Sequence, residues 1–243
     1  MESETINVTY KFVCKDSPSH SFDFGIALNA TTLESSSPAL PTPPAWAKLE
    51  NEQCSFCPLK AEQHPYCPAA LSLVELVEKF GEVISYEEVE ATVVTRERTT
   101  SVKTTMQRAL SSLIGLRMAT SGCPVLMKFK PMARFHLPFA TLEETVYRAA
   151  GAYLLAQYFL KRRGANADLE LNGLREIYRF VHDVNKGLAN RIRHIPIGDA
   201  HLNAIVVLDL FTHALPYSIE DNLVEIEHMF DSFFHSLPVA PLA

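Results

Sequence analysis

Several common carriers of function are missing from this chain. It has no Gly-x-Gly-x-x-Gly fingerprint, no P-loop lysine and no Gly-x-Ser-x-Gly elbow. Nothing therefore points to dinucleotide binding, nucleotide hydrolysis or serine-hydrolase chemistry. A basic excess is also lacking: 22 Lys and Arg stand against 28 Asp and Glu, for a net charge of −6 and a pI near 5.8. Phosphate backbones are held by clustered cations, so nucleic acid is not an expected partner. The local basic spots, Lys161-Arg162-Arg163 and Arg191-Ile-Arg193-His194, lie near the ends of predicted helices, where cations complement the helix dipole. The opening residues, Met1-Glu-Ser-Glu-Thr, are acidic and polar, without the apolar core of a secretion signal. The apolar stretch Ala149–Leu160 is shorter than the roughly 20 residues of a spanning helix. No membrane association is expected, and a cytoplasmic location is. There is no internal repeat and no low-complexity tail. A di-iron carboxylate bundle needs two Glu-x-x-His motifs on facing helices, and Glu225-x-x-His228 stands alone.

What is present is enough apolar residue for a core: 47% of the chain is hydrophobic and 21% charged. Ile6–Val13 and Ser21–Leu28 alternate with period two, which predicts a hairpin across a turn at Lys15–Ser19. Residues 29–44 carry Ser35-Ser-Ser-Pro38 and Pro41-Thr-Pro-Pro44 and read as a linker. Pro68–Phe80 reads as a helix with Leu71, Leu73, Val74, Val77 and Phe80 on one stripe. Glu87–Val102 reads as extended, a third strand for the hairpin, although Ser85-Tyr-Glu-Glu88 also fits a capping box. From Thr104 the pattern is helical, with helices predicted over 104–118, 141–163, 171–195, 199–215 and 219–237. Thr141-Leu-Glu-Glu144 is a capping box opening the second of these.

The expected fold class is α+β: a small N-terminal antiparallel sheet, a Cys-rich knuckle, then a helical bundle. Residues 1–102 form the β-rich part, with its linker and the knuckle at 54–68, and 103–243 the helical part; one single domain is the alternative. The apolar faces Ile205–Phe211 and Leu223–Phe234 suit either bundle packing or a homodimer seam, with Phe230, Phe233 and Phe234 read as core.

Chemistry is most legible in the cysteines. Four of the five fall in Cys54-Ser-Phe-Cys57-Pro…His64-Pro-Tyr-Cys67-Pro and Ser121-Gly-Cys123-Pro124, and three are followed by proline. In a reducing compartment such clustering points to metal ligation rather than to disulfides. Cys54-x2-Cys57 can share one metal, Cys67 supplies a third sulfur, and a fourth ligand completes the site. His64 would make a local knuckle; Cys123 would tie the knuckle to the helical part and uses every cysteine except Cys14, which is read as a packing residue. Cys123 is the preferred fourth ligand. The spacing leaves Zn²⁺ and a [4Fe–4S] cluster both open.

Two weaker constellations remain. His136, in Arg134-Phe-His-Leu-Pro-Phe139, could serve as a base or as a donor to a metal ligand. His136, His182-Asp183 and Asp209 occur in an order that resembles the metal-dependent phosphohydrolases of the HD class. Taken together, the Cys54–Pro68 segment, Ser121-Gly-Cys-Pro124, Arg134-Phe-His-Leu-Pro-Phe139 and Thr145-Val-Tyr-Arg148 resemble a bacterial family with no assigned activity. That resemblance implies no reaction.

The expected function is that of a metal-binding protein whose four-thiolate site, a structural zinc, supports a binding or regulatory role. An iron–sulfur redox or sensor protein is the alternative, and a helical metal-dependent hydrolase using His136, His182, Asp183 and Asp209 is the second.

Overall fold

The computed structural model describes residues 5–15, 21–35, 42–195, 199–221 and 223–236. The chain's start, most of the turn after Lys15, the middle of the linker, Pro196 and Leu237 lie outside the described residues. The architecture is α+β. Strands β1 (Thr5–Cys14) and β2 (Ser21–Asn29) form the hairpin, and β3 (Glu88–Val94) and β4 (Thr99–Thr105) follow. The sheet order is β2-β1-β3-β4, with every neighbouring pair antiparallel.

The extended run read at Glu87–Val102 is thus two strands. Between them Thr95 and Arg98 close a tight turn: Thr95 N–H donates to the Arg98 carbonyl, and Arg98 N–H to Thr95 Oγ1. A fourth strand results, with Thr92 and Ser101 hydroxyls bonded across the pair at 2.8 Å. Period two holds throughout, so Val8, Tyr10 and Phe12 of β1, Phe24, Ile26 and Leu28 of β2, and Val89, Ala91 and Val93 of β3 are buried on one face.

Two compact units are formed by an interleaved chain path: residues 1–140 with 180–210, and 141–179 with 211–243. In the first, α1 (Pro68–Lys79) and α2 (Met106–Ala119) cover the sheet's apolar face. Phe80 meets Phe12 edge-on at 5.4 Å and Phe22 at 4.8 Å. Arg117 is buried; its guanidinium stacks on Phe24 at 5.2 Å and its Nε donates to the Ser72 carbonyl at 2.9 Å. A short α3 (Lys130–Arg134) follows, and helices α5 (Asn172–Arg193) and α6 (Ala200–Glu220) contribute their residues 180–193 and 200–210. Leu208 of α6 seats against Gly115 of α2, and Ser85 N–H and hydroxyl both donate to the Asp199 carboxylate at 2.9 Å.

The second unit contains α4 (Leu142–Arg162), opened by the Thr141/Glu144 capping box, residues 172–179 of α5, the end of α6, and α7 (Val224–Glu227) and α8 (Asp231–Ser236). The helix expected over 199–215 does not stop before Pro216 but runs through it to Glu220. The helix expected over 219–237 is instead two short helices, because Leu223 adopts a left-handed φ of 55° that no α-helix accommodates. Phe233 and Phe234, read as core, are more than half exposed. By length and composition alone α6 passes the bilayer-span test that Ala149–Leu160 fails.

Candidate metal centre

The knuckle is held at its base by backbone pairing. Lys48 and Tyr66 form an antiparallel bridge, Leu49 N–H donates to the Pro65 carbonyl and Cys67 N–H to that of Ala47, each at 2.9 Å. Within this closed loop Cys57 N–H returns to the Cys54 carbonyl at 3.0 Å, making the tight turn that Cys-x2-Cys requires. Cys67 is the N-cap of α1, with Pro68 at the first helical position, where a missing N–H costs nothing.

Cys123 arrives from the end of α2. Gly122 turns the chain at φ 84°, a conformation that a side chain resists. Cys123 N–H donates to Ser121 Oγ at 3.2 Å. The Cys123 sulfur accepts the backbone N–H groups of Leu126 and Val125, the arrangement that stabilises a thiolate.

These four sulfurs act on one another. Burial pushes the Cys54 thiol up, and the charges of Cys67, Asp183, Cys123 and Cys57 add to it, to about 12. Burial likewise raises Cys123; its two N–H bonds oppose the rise, and the charges of Cys67 and Cys57 reinforce it. Four thiolates this close and this sheltered repel one another unless a cation neutralises them. Cys67 and Cys123 are buried, while Cys54 and Cys57 are half-buried. Among the described residues no three of these sulfurs gather within 4.8 Å of one another. Cys14 sits elsewhere, on β1 opposite Val89, its thiol raised to about 12 by burial and by Glu87. His64 is exposed, its N–H closing a turn onto the Lys60 carbonyl.

One stripe of α5 grips the knuckle, and sequence reasoning missed it. Phe180, Asp183, Gly187, Asn190 and Arg191 recur at helical spacing on one face. Phe180 packs on Phe56 at 4.5 Å between ring centroids, with the Lys128 ammonium over its ring. Asp183 accepts from Ser55 N–H and hydroxyl. Gly187 lies so close that a Cβ there would stand 2.9 Å from the Glu52 carbonyl and 3.5 Å from the Cys54 sulfur. Asn190 donates to Glu52 Oε2 at 3.1 Å. The buried Arg191 guanidinium donates to the carbonyls of Trp46, Lys48 and Leu49. The signal available in the sequence was Gly187 itself, a glycine inside an otherwise continuous helical pattern, which marks a close approach.

The hydrolase candidates have separate engagements. His182 Nδ1 meets both Asp209 oxygens at 3.0 Å, and Asn185 donates to the same carboxylate at 3.1 Å. Asp183, although adjacent to His182, is directed to Ser55. His136 Nε2 is hydrogen-bonded to the hydroxyl of the fully buried Tyr10, which also meets Ser112 Oγ at 3.0 Å. Ser112 in turn accepts Phe139 N–H at 3.2 Å, so the Arg134–Phe139 segment is fastened to the sheet. A comparison with curated proteins and with solved structures finds no match. Residues 8–231 match the family model described as a domain of unknown function, DUF6901, and the chain belongs to that family.

Proposed function

We propose that Cys54, Cys57, Cys67 and Cys123 together hold an iron–sulfur cluster, and that the protein works by electron transfer or redox sensing. The observation carrying this reading is the mutual electrostatic reach of the four thiols combined with their spread. Four sulfurs around one zinc, each about 2.3 Å from the metal, would stand about 3.8 Å apart. In a [4Fe–4S] cluster each cysteine binds its own iron, and the sulfurs stand farther apart. The N–H donors on Cys123 belong to the set of contacts by which a protein adjusts the potential of such a cluster. Half-burial of Cys54 and Cys57 leaves one side of the site near solvent. A centre saturated by four protein ligands has no open position for substrate, which favours electron transfer or sensing over hydrolysis.

A structural zinc is the second reading. It is favoured by the fastening role of the site: Cys67 starts α1, Cys123 follows α2, and Cys54 and Cys57 lie on the loop clamped by α5. Metal and sulfide analysis with an absorption spectrum, on protein purified without oxygen, decides between the two. About four irons with equal sulfide, and a broad visible band bleached by dithionite, support the cluster. One zinc and no visible band supports the structural site, and no metal of either kind overturns both.

A further inference from the structure

We infer that α4 is the seam of a symmetric homodimer in which two copies of the helix pair antiparallel. Over 21 residues α4 buries Val146, Ala149, Ala150 and Gln157 on one side. Its opposite side carries Tyr147, Gly151, Leu154, Tyr158 and Arg162, all exposed and spaced by three or four residues, the periodicity of a helix–helix seam. Tyr147 and Leu155 are each 54% exposed, Tyr158 53% and Phe159 48%. A solvated helix face is expected to be polar there. With aromatic side chains at roughly 150–250 Å² each, this face offers on the order of 500 Å² of apolar-rich surface. Charged flanks bring that toward the roughly 800 Å² per partner of a standard interface.

The occupant is set by the charge layout. Glu143 stands at the start of the helix and Lys161 and Arg162 at its end, all exposed. Glu143 and Arg162 lie equally far from the helix centre at residues 152–153. An antiparallel second copy therefore places each Glu143 beside the other copy's Arg162, twice over, as two-fold symmetry requires. Gly151 lies next to that centre with nothing within 4 Å of where its Cβ would be, so the two helices can approach closely where they cross. An acidic partner would meet Lys161 and Arg162 but be repelled at Glu143; a second copy satisfies both ends.

The test is the molar mass of the full chain in solution by light scattering. The expected value is twice 27.1 kDa, falling to the monomer mass on dilution. Leu155→Glu is expected to give monomer with an unchanged far-UV spectrum. Glu143→Arg and Arg162→Glu are each expected to weaken the dimer at least tenfold, and the double variant to restore it. That rescue cannot come from a folding defect. A monomer at every concentration overturns the inference, including one that binds lipid vesicles. So does a dimer that none of these changes affects.

Discussion

Asp183 of α5 accepts two hydrogen bonds from Ser55, at 2.7 Å from the backbone N–H and 2.9 Å from the hydroxyl. The two residues are 128 positions apart in the chain, and Ser55 lies between Cys54 and Cys57. A charged acceptor thus fixes the backbone of the turn on which two of the four thiols sit. Asp183→Asn keeps the size but removes the charge and half of the accepting capacity. It is expected to cost about 1 kcal/mol of stability, since the pair lies at the surface. Urea unfolding checks the cost, and metal content of the purified variant checks that the turn is loosened.

Gly187 is the tightest point of that interface. Alanine there gains helix propensity of up to about 1 kcal/mol, yet its Cβ meets a backbone carbonyl that cannot turn aside. The clash is expected to win, for a net loss of about 1–2 kcal/mol. A Gly187→Ala protein as stable as its parent in urea would show that the Glu52 segment yields.

Arg191 holds three carbonyls with one planar fork. Arg191→Met leaves these acceptors unpaired in a buried place and is expected to cost about 3 kcal/mol. Arg191→Lys is expected to recover only part of this, because a single ammonium does not reproduce the fork. Thermal unfolding of both variants separates charge from geometry.

The five cysteines divide by role. Serine at Cys54, Cys57, Cys67 or Cys123 is expected to lower metal content and melting temperature together, since binding energy of the centre is folding energy. Cys14→Ser places a hydroxyl in the sheet core beside Glu87, so it lowers stability while metal content holds. Equal metal loss in the Cys14 and Cys123 variants would refute this division.

In the second unit, the Gly173 N–H bonded to Asp168 holds its carboxyl below the ordinary aspartate range, against opposition from burial and with support from the Tyr153 hydroxyl and the N–H groups of Asn172 and Glu170. A carboxyl depressed on folding adds stability that is fully present above its unfolded pKa, about 3.9, and lost as pH falls through the lower folded value. Asp168→Asn is expected to be less stable than the parent near neutrality and to converge with it as the pH drops below that range. Melts taken from pH 7 down to pH 2.5 check the convergence.

The strand alternation at Ile6–Val13 and Ser21–Leu28, the helix from Pro68 and the capping box at Thr141 were legible because each depends on neighbours within a few residues. The fourth strand was not, because Thr95–Arg98 has none of the Gly or Asn that usually announces a tight turn. The break at Leu223 was hidden for a similar reason: a left-handed leucine carries no mark in composition. Phe233 and Phe234 were misplaced because an apolar residue does not reveal which side of a short helix faces solvent.

Local chemistry in the sequence determined the donor set. Cys-x2-Cys, the prolines after Cys57, Cys67 and Cys123, and Gly122 shape turns within a few residues, and that is enough to nominate four thiols and to set Cys14 apart. Tertiary structure decided which groups stand around them. Helix α5, more than a hundred residues downstream, brings Asp183, Gly187 and Arg191 onto the knuckle. It also separates Asp183, turned to Ser55, from His182, turned to Asp209, although the two are adjacent in the chain. Neighbours on a helix point about 100° apart, so what each side chain reaches is set by the elements packed around the helix.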